Sequence, residues 1–256
     1  MQKISIKDYK NLKSLTQKKY RKLYRKLIVE GENTIFQLLD NDKSFDAIYI
    51  TEAYAKNHYR YLEKHITKSE IKERIRLIDE AKIKEVTDTE NPQDIIACVS
   101  FEPTPINENG TLLYLDGIQD PGNMGTILRT ALAAGIDGVL ISPESCDIMN
   151  PKVVRASLGA VFFCPIAYSD IDYLQSSSHT IIASTLTNSK PLFQLKDVPD
   201  KRIIVIGSEA KGISPEIVKI AQEKIHIPMT NKIESLNAAI SAAVILYYIK
   251  GLEYHE

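Results

Sequence analysis

Three separated loops hold the residue types able to do chemistry. In LDGIQDPGNMGTILRTALAAG (115–135), Gly117, Gly122 and Gly125 with Pro121 make a tight strand-to-helix turn. The amino end of the helix that follows can hold an anion through its free N–H groups, and Asn123 and Arg129 add an amide and a permanent cation. The glycines are not spaced G-x-G-x-x-G, so a dinucleotide site is not indicated. Arg129 taken alone is equally suited to a surface salt bridge. In VIGSEAKGIS (205–214) a strand ends at Gly207, Glu209 stands between small residues, and Gly212 permits close backbone approach. That segment is either a glycine-rich connection with an exposed carboxylate or part of a site. In HIPMTNKIESLNAAISAAVILYYIK (226–250) a strand ends at Pro228, and Ser235 and Asn237 open an apolar helix. Both are favoured capping residues, so Ser235 has a plain structural reading as a cap.

Metal and nucleophile chemistry find no support. The histidines (His58, His65, His179, His226, His255) show no H-x-x-x-H spacing and no Ser–His–Asp arrangement, and Cys98, Cys146 and Cys164 show no C-x-x-C. An odd number of scattered cysteines points to a reducing cytoplasm and excludes structural zinc.

The elements that must position these loops alternate along the chain. Strands are expected at 27–31, 46–51, 75–79 and 95–100, with helices over 33–40 and 53–65, which makes a small α/β unit. Residues 102–110 (EPTPINENG) lack apolar periodicity and read as a linker. Beyond it, strands are expected at 111–115, 138–142, 161–166 (VFFCPI), 180–185, 202–207 and 224–228, with helices at 125–135, 151–157, 215–223 and 235–250. Apolar strands separated by helices imply a mostly parallel sheet covered on both faces, with ligands beyond the carboxyl ends of its strands. The expected division is therefore 1–101, a linker at 102–110, and 111–256.

Composition excludes several classes. The 256 residues are 44% hydrophobic and 25% charged, an ordinary globular balance. The longest near-apolar stretch, 238–249, is shorter than the roughly 20 residues of a membrane helix, and the start MQKISIKDYKN has no signal-peptide core. Net charge is −1, yet residues 1–29 carry ten Lys/Arg against the single acid Asp8, with Tyr9, Tyr20 and Tyr24 interleaved. Such an arm suits a phosphate backbone, and equally a solvated helix whose tyrosines pack on a core.

The order of the loops resembles a known family. Asn123-x-Gly125-x-x-x-Arg129, then Ile206-Gly207-x-Glu209-x-x-Gly212, then Ile227-Pro228-Met229 with Glu234-Ser235-Leu236-Asn237 resemble the three signature motifs of the SpoU (TrmH-type) RNA ribose 2′-O-methyltransferases of the SPOUT superfamily. Asn150, Pro151, Lys152, Val153, Arg155, Ser157 and Gly159 resemble its intermediate stretch, and residues 1–100, with Val29-Glu30-Gly31, its small substrate-binding domain. Two details depart from the usual pattern, Asn231-Lys232-Ile233 in the third motif and Ser208 and Ala210 around Glu209.

The resemblance implies a SPOUT-type α/β fold with a deep carboxyl-terminal trefoil knot, preceded by a small α/β RNA-binding domain. It implies a homodimer with the active site near the subunit interface, and a bent S-adenosylmethionine held in the knot. Gly207, Ile227 and Leu236 would line the cofactor pocket, with Met229 nearby. Asn123, Arg129, Glu209, Ser235 and Asn237 match the polar set at the reacting groups. A methyl sulfonium is already electrophilic and needs no metal, so the task is to activate a ribose 2′-hydroxyl, where general-base help is worth about 10²–10⁴-fold. Arg129 is too permanently charged to be a simple base. It is expected to bind the target phosphate and to position or help activate the hydroxyl, with Asn123, Ser235 and Asn237 holding loop geometry and ribose contacts, while Glu209 orients Arg129 or a backbone turn. The alternatives are a tRNA substrate in place of rRNA, base methylation, a silent RNA-binding protein of the same fold, and a nucleotide-dependent oxidoreductase. A separate amino-terminal domain favours rRNA.

Overall fold

A computed structural model describes residues 1–66, 69–230 and 232–253. The chain separates into two compact units, one of Met1–Glu102 with Met149–Gly159, the other of Pro103–Ile148 with the chain from Ala160 onward.

The first unit runs β1 (Gln2–Lys3), α1 (Ile6–Ser14), α2 (Lys18–Tyr24), β2 (Lys26–Glu30), α3 (Glu32–Asp40), β3 (Phe45–Ile50), α4 (Glu52–Asn57), α5 (Tyr59–His65), α6 (Ser69–Lys72), β4 (Ile75–Leu77), α7 (Glu80–Val86) and β5 (Ile95–Ser100). Its sheet is mixed, in the order β1-β4-β3-β5-β2, with β5 antiparallel to both of its neighbours. Leu12 and Leu15 from the basic segment pack with Ile28, Tyr49, Ile83 and Ile96 in one core, and Tyr9 lies against them. The helical spacing of those leucines is what folds the arm onto the sheet. The helix expected at 53–65 is two helices, broken at His58, whose backbone leaves the helical region.

The second unit begins with β6 (Thr111–Asp116), α8 (Pro121–Ala133) and β7 (Gly138–Ile141). The chain then supplies α9 (Pro151–Ala156) to the first unit, where Arg155 pairs with Asp88 and lies 3.9 Å from Glu30. It returns with β8 (Ile166–Tyr168), α10 (Ile171–Ser176), β9 (Thr180–Ser184), β10 (Lys190–Pro191), β11 (Arg202–Gly207), α11 (Pro215–Ile220), β12 (Glu223–His226) and α12 (Ala238–Glu253). The sheet order is β10-β12-β9-β11-β6-β7-β8, and every pairing is parallel. Central β6 and β11 are buried over their first five residues, as a parallel strand covered on both faces must be. No helix among the described residues is long and apolar enough to cross a membrane.

One expected strand is absent. Residues 161–166 form a 3₁₀ turn over Ala160–Phe162, and the strand begins only at Ile166. Leu158 and Gly159 both take positive φ, which turns the chain before the apolar run. The run is buried all the same, and periodicity does not separate a buried turn from a buried strand. Helix boundaries also move, with α8 starting at Pro121, α11 ending at Ile220 so that Glu223 opens β12, and α12 starting at Ala238.

Candidate active site

The site is built where three parallel strands end. After β6, Asp120 caps α8 by accepting from the Asn123 N–H at 2.7 Å, with Pro121 in the first turn, where its missing N–H costs nothing. The turn before it needs a left-handed residue, and Gly117 supplies φ +67° while donating its N–H to the buried Ser142 hydroxyl at 2.9 Å. This fixes the backbone that carries Asn123.

After β11 the chain folds back on itself. Ser208 and Gly212 exchange both backbone bonds, at 3.1 and 2.9 Å, and the Asp116 carboxylate accepts from the Ser214 N–H at 2.7 Å. Gly207 is obligatory here, because a Cβ at that position would stand 2.1 Å from the Gly212 carbonyl carbon and 2.3 Å from the Ile213 nitrogen. The fold-back presents Glu209 to Asn123, whose side-chain N–H donates to the carboxylate. After β12 the chain returns to the same place. The Asn237 side-chain N–H donates to the Asn123 side-chain Oδ1 at 2.8 Å, while its own Oδ1 caps α12 by accepting from Ala239 and Ile240 N–H at 2.9 and 3.2 Å. Both ends of the Asn123 amide are thereby oriented.

A cavity of about 300 Å³ adjoins this chain of bonds. Gly207, Ile227, Met229 and Leu236 all line it, drawn from the segments after β11 and β12. Glu209 and Ser235 line it too, with Thr185 and His226, neither of which sequence reasoning singled out. Apolar Ile206, Ile213 and Leu236 offer surface for a flat base, and the Ser184, Thr185 and Ser235 hydroxyls can meet a ribose. The Glu209 and Glu234 carboxylates complement a sulfonium and an ammonium. The cavity therefore fits S-adenosylmethionine in size and donor set.

Arg129 is placed apart from the other residues. It is exposed and forms no ion pair with a described residue, so the surface salt bridge is not what holds it. Six positions beyond Asn123, it lies about 9 Å along α8 and on a different side of the helix. Glu209 engages Asn123 and not Arg129. Ser235 is exposed in the loop before α12, and Asn237 is the residue that caps. Asp116 and Asp120, not among the expected site residues, hold two of the loops. Aspartate directly before a proline that opens a helix was the available signal for Asp120. In β6, burial together with Asp116, Glu144 and Asp170 pushes the Tyr114 phenol well above its ordinary pKa, leaving it a neutral wall.

The parallel sheet and the three loops at its strand ends define a methyltransferase-like domain, and the comparisons identify it. Residues 110–247, more than half of the chain, match the SpoU rRNA methylase family, and the chain belongs to that family. Residues 7–97 match the MRM3-like substrate binding domain. The 23S rRNA (guanosine(2553)-2′-O)-methyltransferase RlmP of Bacillus subtilis is 27% identical to this chain over 254 residues, covering 96% of each. An uncharacterised tRNA/rRNA methyltransferase of Synechocystis is 29% identical, over 93% of this chain and 88% of its own. Among solved structures, the AdoMet-bound rRNA methyltransferase of Sinorhizobium meliloti superposes with a TM-score of 0.82 at 26% identity, covering 100% of this chain and 98% of that one. A TrmH-family structure from Porphyromonas gingivalis gives a TM-score of 0.78 at 30% identity, over 96% and 97%.

Proposed function

We propose that this protein transfers a methyl group from S-adenosylmethionine to a ribose 2′-hydroxyl of ribosomal RNA in the cytoplasm. The observation that carries this reading is the convergence of Gly207, Ile227, Met229 and Leu236 on one cavity whose rim is the Asn123–Glu209 contact. The full-length similarity to an rRNA 2′-O-methyltransferase favours rRNA over tRNA. Residues 1–101 are the RNA-binding domain, 102–110 the linker and 111–256 the methyltransferase domain, apart from Met149–Gly159, which belong to the first compact unit.

S-adenosylmethionine, when bound, supplies a sulfonium methyl that needs no further activation. The work of the chain is to hold the acceptor sugar, whose 2′-hydroxyl proton passes to solvent as its oxygen takes the methyl group. Asn123 keeps one amide N–H beyond the one given to Glu209, and that donor is oriented toward the acceptor by Asn237 from the other side. Ser235 holds the ribose end of the site. Arg129 binds the phosphate of the target nucleotide and positions the 2′-hydroxyl. The protein acts as a homodimer through α12, which packs on α8 and leaves Ile240 and Tyr247 exposed on one stripe with half-buried Ala243 and Val244 between them. A second copy covering that stripe brings the subunit interface to the helix that carries Arg129. The carboxyl-terminal segment threads a trefoil knot. Its support is the return of the chain from β12, beyond β9 and β11 in the sheet, to Asn123 after β6.

Two measurements test the reading. Calorimetry with S-adenosylmethionine is expected to show binding, and its absence would leave a silent RNA-binding protein. A map of 2′-O-methyl marks in total RNA from a deletion strain is expected to lose a mark in rRNA. A mark lost from tRNA would move the substrate class, and loss of no mark would reject the activity.

A further inference from the structure

A separate cleft of about 410 Å³ lies in the first unit, where α1 and the end of α2 face β2, β3 and β4. Its wall includes the buried side chains of Leu12, Leu15 and Tyr49, and Tyr24, 49% exposed, stands in its lining. Lys26, Arg74 and Arg76 bring three cations to it. Lys26 is neutralised by Asp46 at 2.9 Å. The two arginines are not neutralised. Arg74 donates to the Phe45 carbonyl at 2.8 Å, and Arg76 to the Ile75 carbonyl at 3.0 Å and to that of Glu73, and neither meets a carboxylate among the described residues. Neutral acceptors hold these heads in place without cancelling their charge. Asp8, the other acid in the lining, accepts from the Ser5 hydroxyl at 2.7 Å and keeps its charge, so three cations face two carboxylates in the cleft.

The basic arm borders this cleft through Tyr24 at the end of α2. Lys18, Lys19, Lys22 and Arg25 of α2 and its cap are exposed, and the Tyr20 and Tyr24 rings stack with centroids 5.9 Å apart. An aromatic face for a base, fixed guanidinium groups for a phosphate and a cationic track beside them are what an unstacked nucleotide requires. An acidic peptide would use the charges and leave the aromatic wall without a role.

We propose that this cleft binds one unstacked nucleotide of the RNA substrate. Its base lies against Tyr24 and its phosphate on Arg74 and Arg76, and α2 bears on the flanking phosphates. The inference rests on the RNA reading above and adds the face of the amino-terminal unit that holds the RNA.

The test uses the full chain with fluorescein-labelled poly(U) and poly(A) oligoribonucleotides, read by anisotropy across a salt series. Arg74→Ala with Arg76→Ala is expected to flatten the slope of log K against log salt by about 0.7, the loss of the one phosphate the two arginines share on a single strand. Tyr24→Ala is expected to weaken binding by about 5- to 150-fold, and Tyr24→Phe to restore it. Calorimetric affinity for S-adenosylmethionine should stay at the wild-type value in all three, since none of these residues lines that cavity. Variants with unchanged affinity and salt slope would overturn the proposal while leaving methyl transfer standing. Free UMP competing as well as the oligonucleotide, or an acidic peptide displacing RNA with no effect of Tyr24→Ala, would overturn it as well. Wild-type protein that takes up no methyl donor but shows the expected RNA losses would reject the enzymatic reading and uphold the cleft.

Discussion

Gly207→Ala is the sharpest perturbation of the cofactor cavity. The added Cβ would meet the Gly212 carbonyl carbon at 2.1 Å, the Ile213 nitrogen at 2.3 Å and the Gly212 oxygen at 2.4 Å. All three are backbone atoms, so no rotamer change relieves the contact. Ordinary van der Waals separation requires the 208–213 segment to retreat by more than about 1 Å. That segment is anchored at both ends, by the Ser208–Gly212 pair and by the bond from Ser214 to Asp116, and it carries Glu209 to Asn123. Overpacking of this kind costs about 1–3 kcal/mol, a fall of about 2–12 °C in melting temperature for a chain of this size. The retreat also moves Gly207, Glu209 and Gly212, which line the cavity. A displacement of about 1 Å in a positioned site can cost 10²-fold, and we expect the affinity for S-adenosylmethionine to fall by at least about tenfold. Calorimetry with the methyl donor and scanning calorimetry of the apoprotein read the two effects separately. A variant that melts with wild-type protein and binds the donor within about twofold of it would refute the claim that this backbone shapes the pocket.

Arg129→Ala should leave the melting temperature within about 2 °C, since the side chain is exposed and without an ion-pair partner among the described residues. Methyl transfer to rRNA should fall by about 10²-fold or more through lost positioning of the hydroxyl, and unimpaired turnover would remove it from the site. Gly251→Ala meets nothing within 4 Å and lies inside α12. It should stabilise by up to about 1 kcal/mol through helix propensity, seen as a higher melting temperature, and a fall would reveal a contact at that position. The His179 ring is buried, and burial with Lys201 nearby lowers its pKa below the ordinary 6.5. The folded state then binds fewer protons than the unfolded one, so this contribution is complete above pH 6.5 and declines as pH falls through and below that value. Wild-type protein should therefore lose more stability than His179→Gln between about pH 7.5 and about pH 5.5. Equal losses would assign the pH dependence elsewhere.

Much of the catalytic unit was legible because parallel strands buried on both faces print as apolar runs. LLYL, VLI, IIAS and IIVI each mark a strand of the sheet, and the expected site residues other than Arg129, which lies in the third turn of α8, close a strand, follow one or open the next helix. The same rule misread VFFCPI, since burial without periodicity does not distinguish extended from turned backbone. Asn237 and Ser235 were interchangeable as caps on propensity alone. The choice fell to Asn237, whose two amide ends serve the helix and Asn123 at once. The basic arm admitted two readings, and the structure contains elements of both. Tyr9 joins the core, and Tyr24 is left at a cationic cleft.

Residue order along the chain determined the class of fold, the glycine turns and the identity of the polar groups, because these depend on local backbone freedom and on periodic burial. The partnership of Asn123 with Glu209 and Asn237 was decided only by tertiary structure, since those side chains come from positions 86 and 114 residues away. No local propensity records which strand ends become neighbours. Sheet order does, and it is set by the packing of the whole unit.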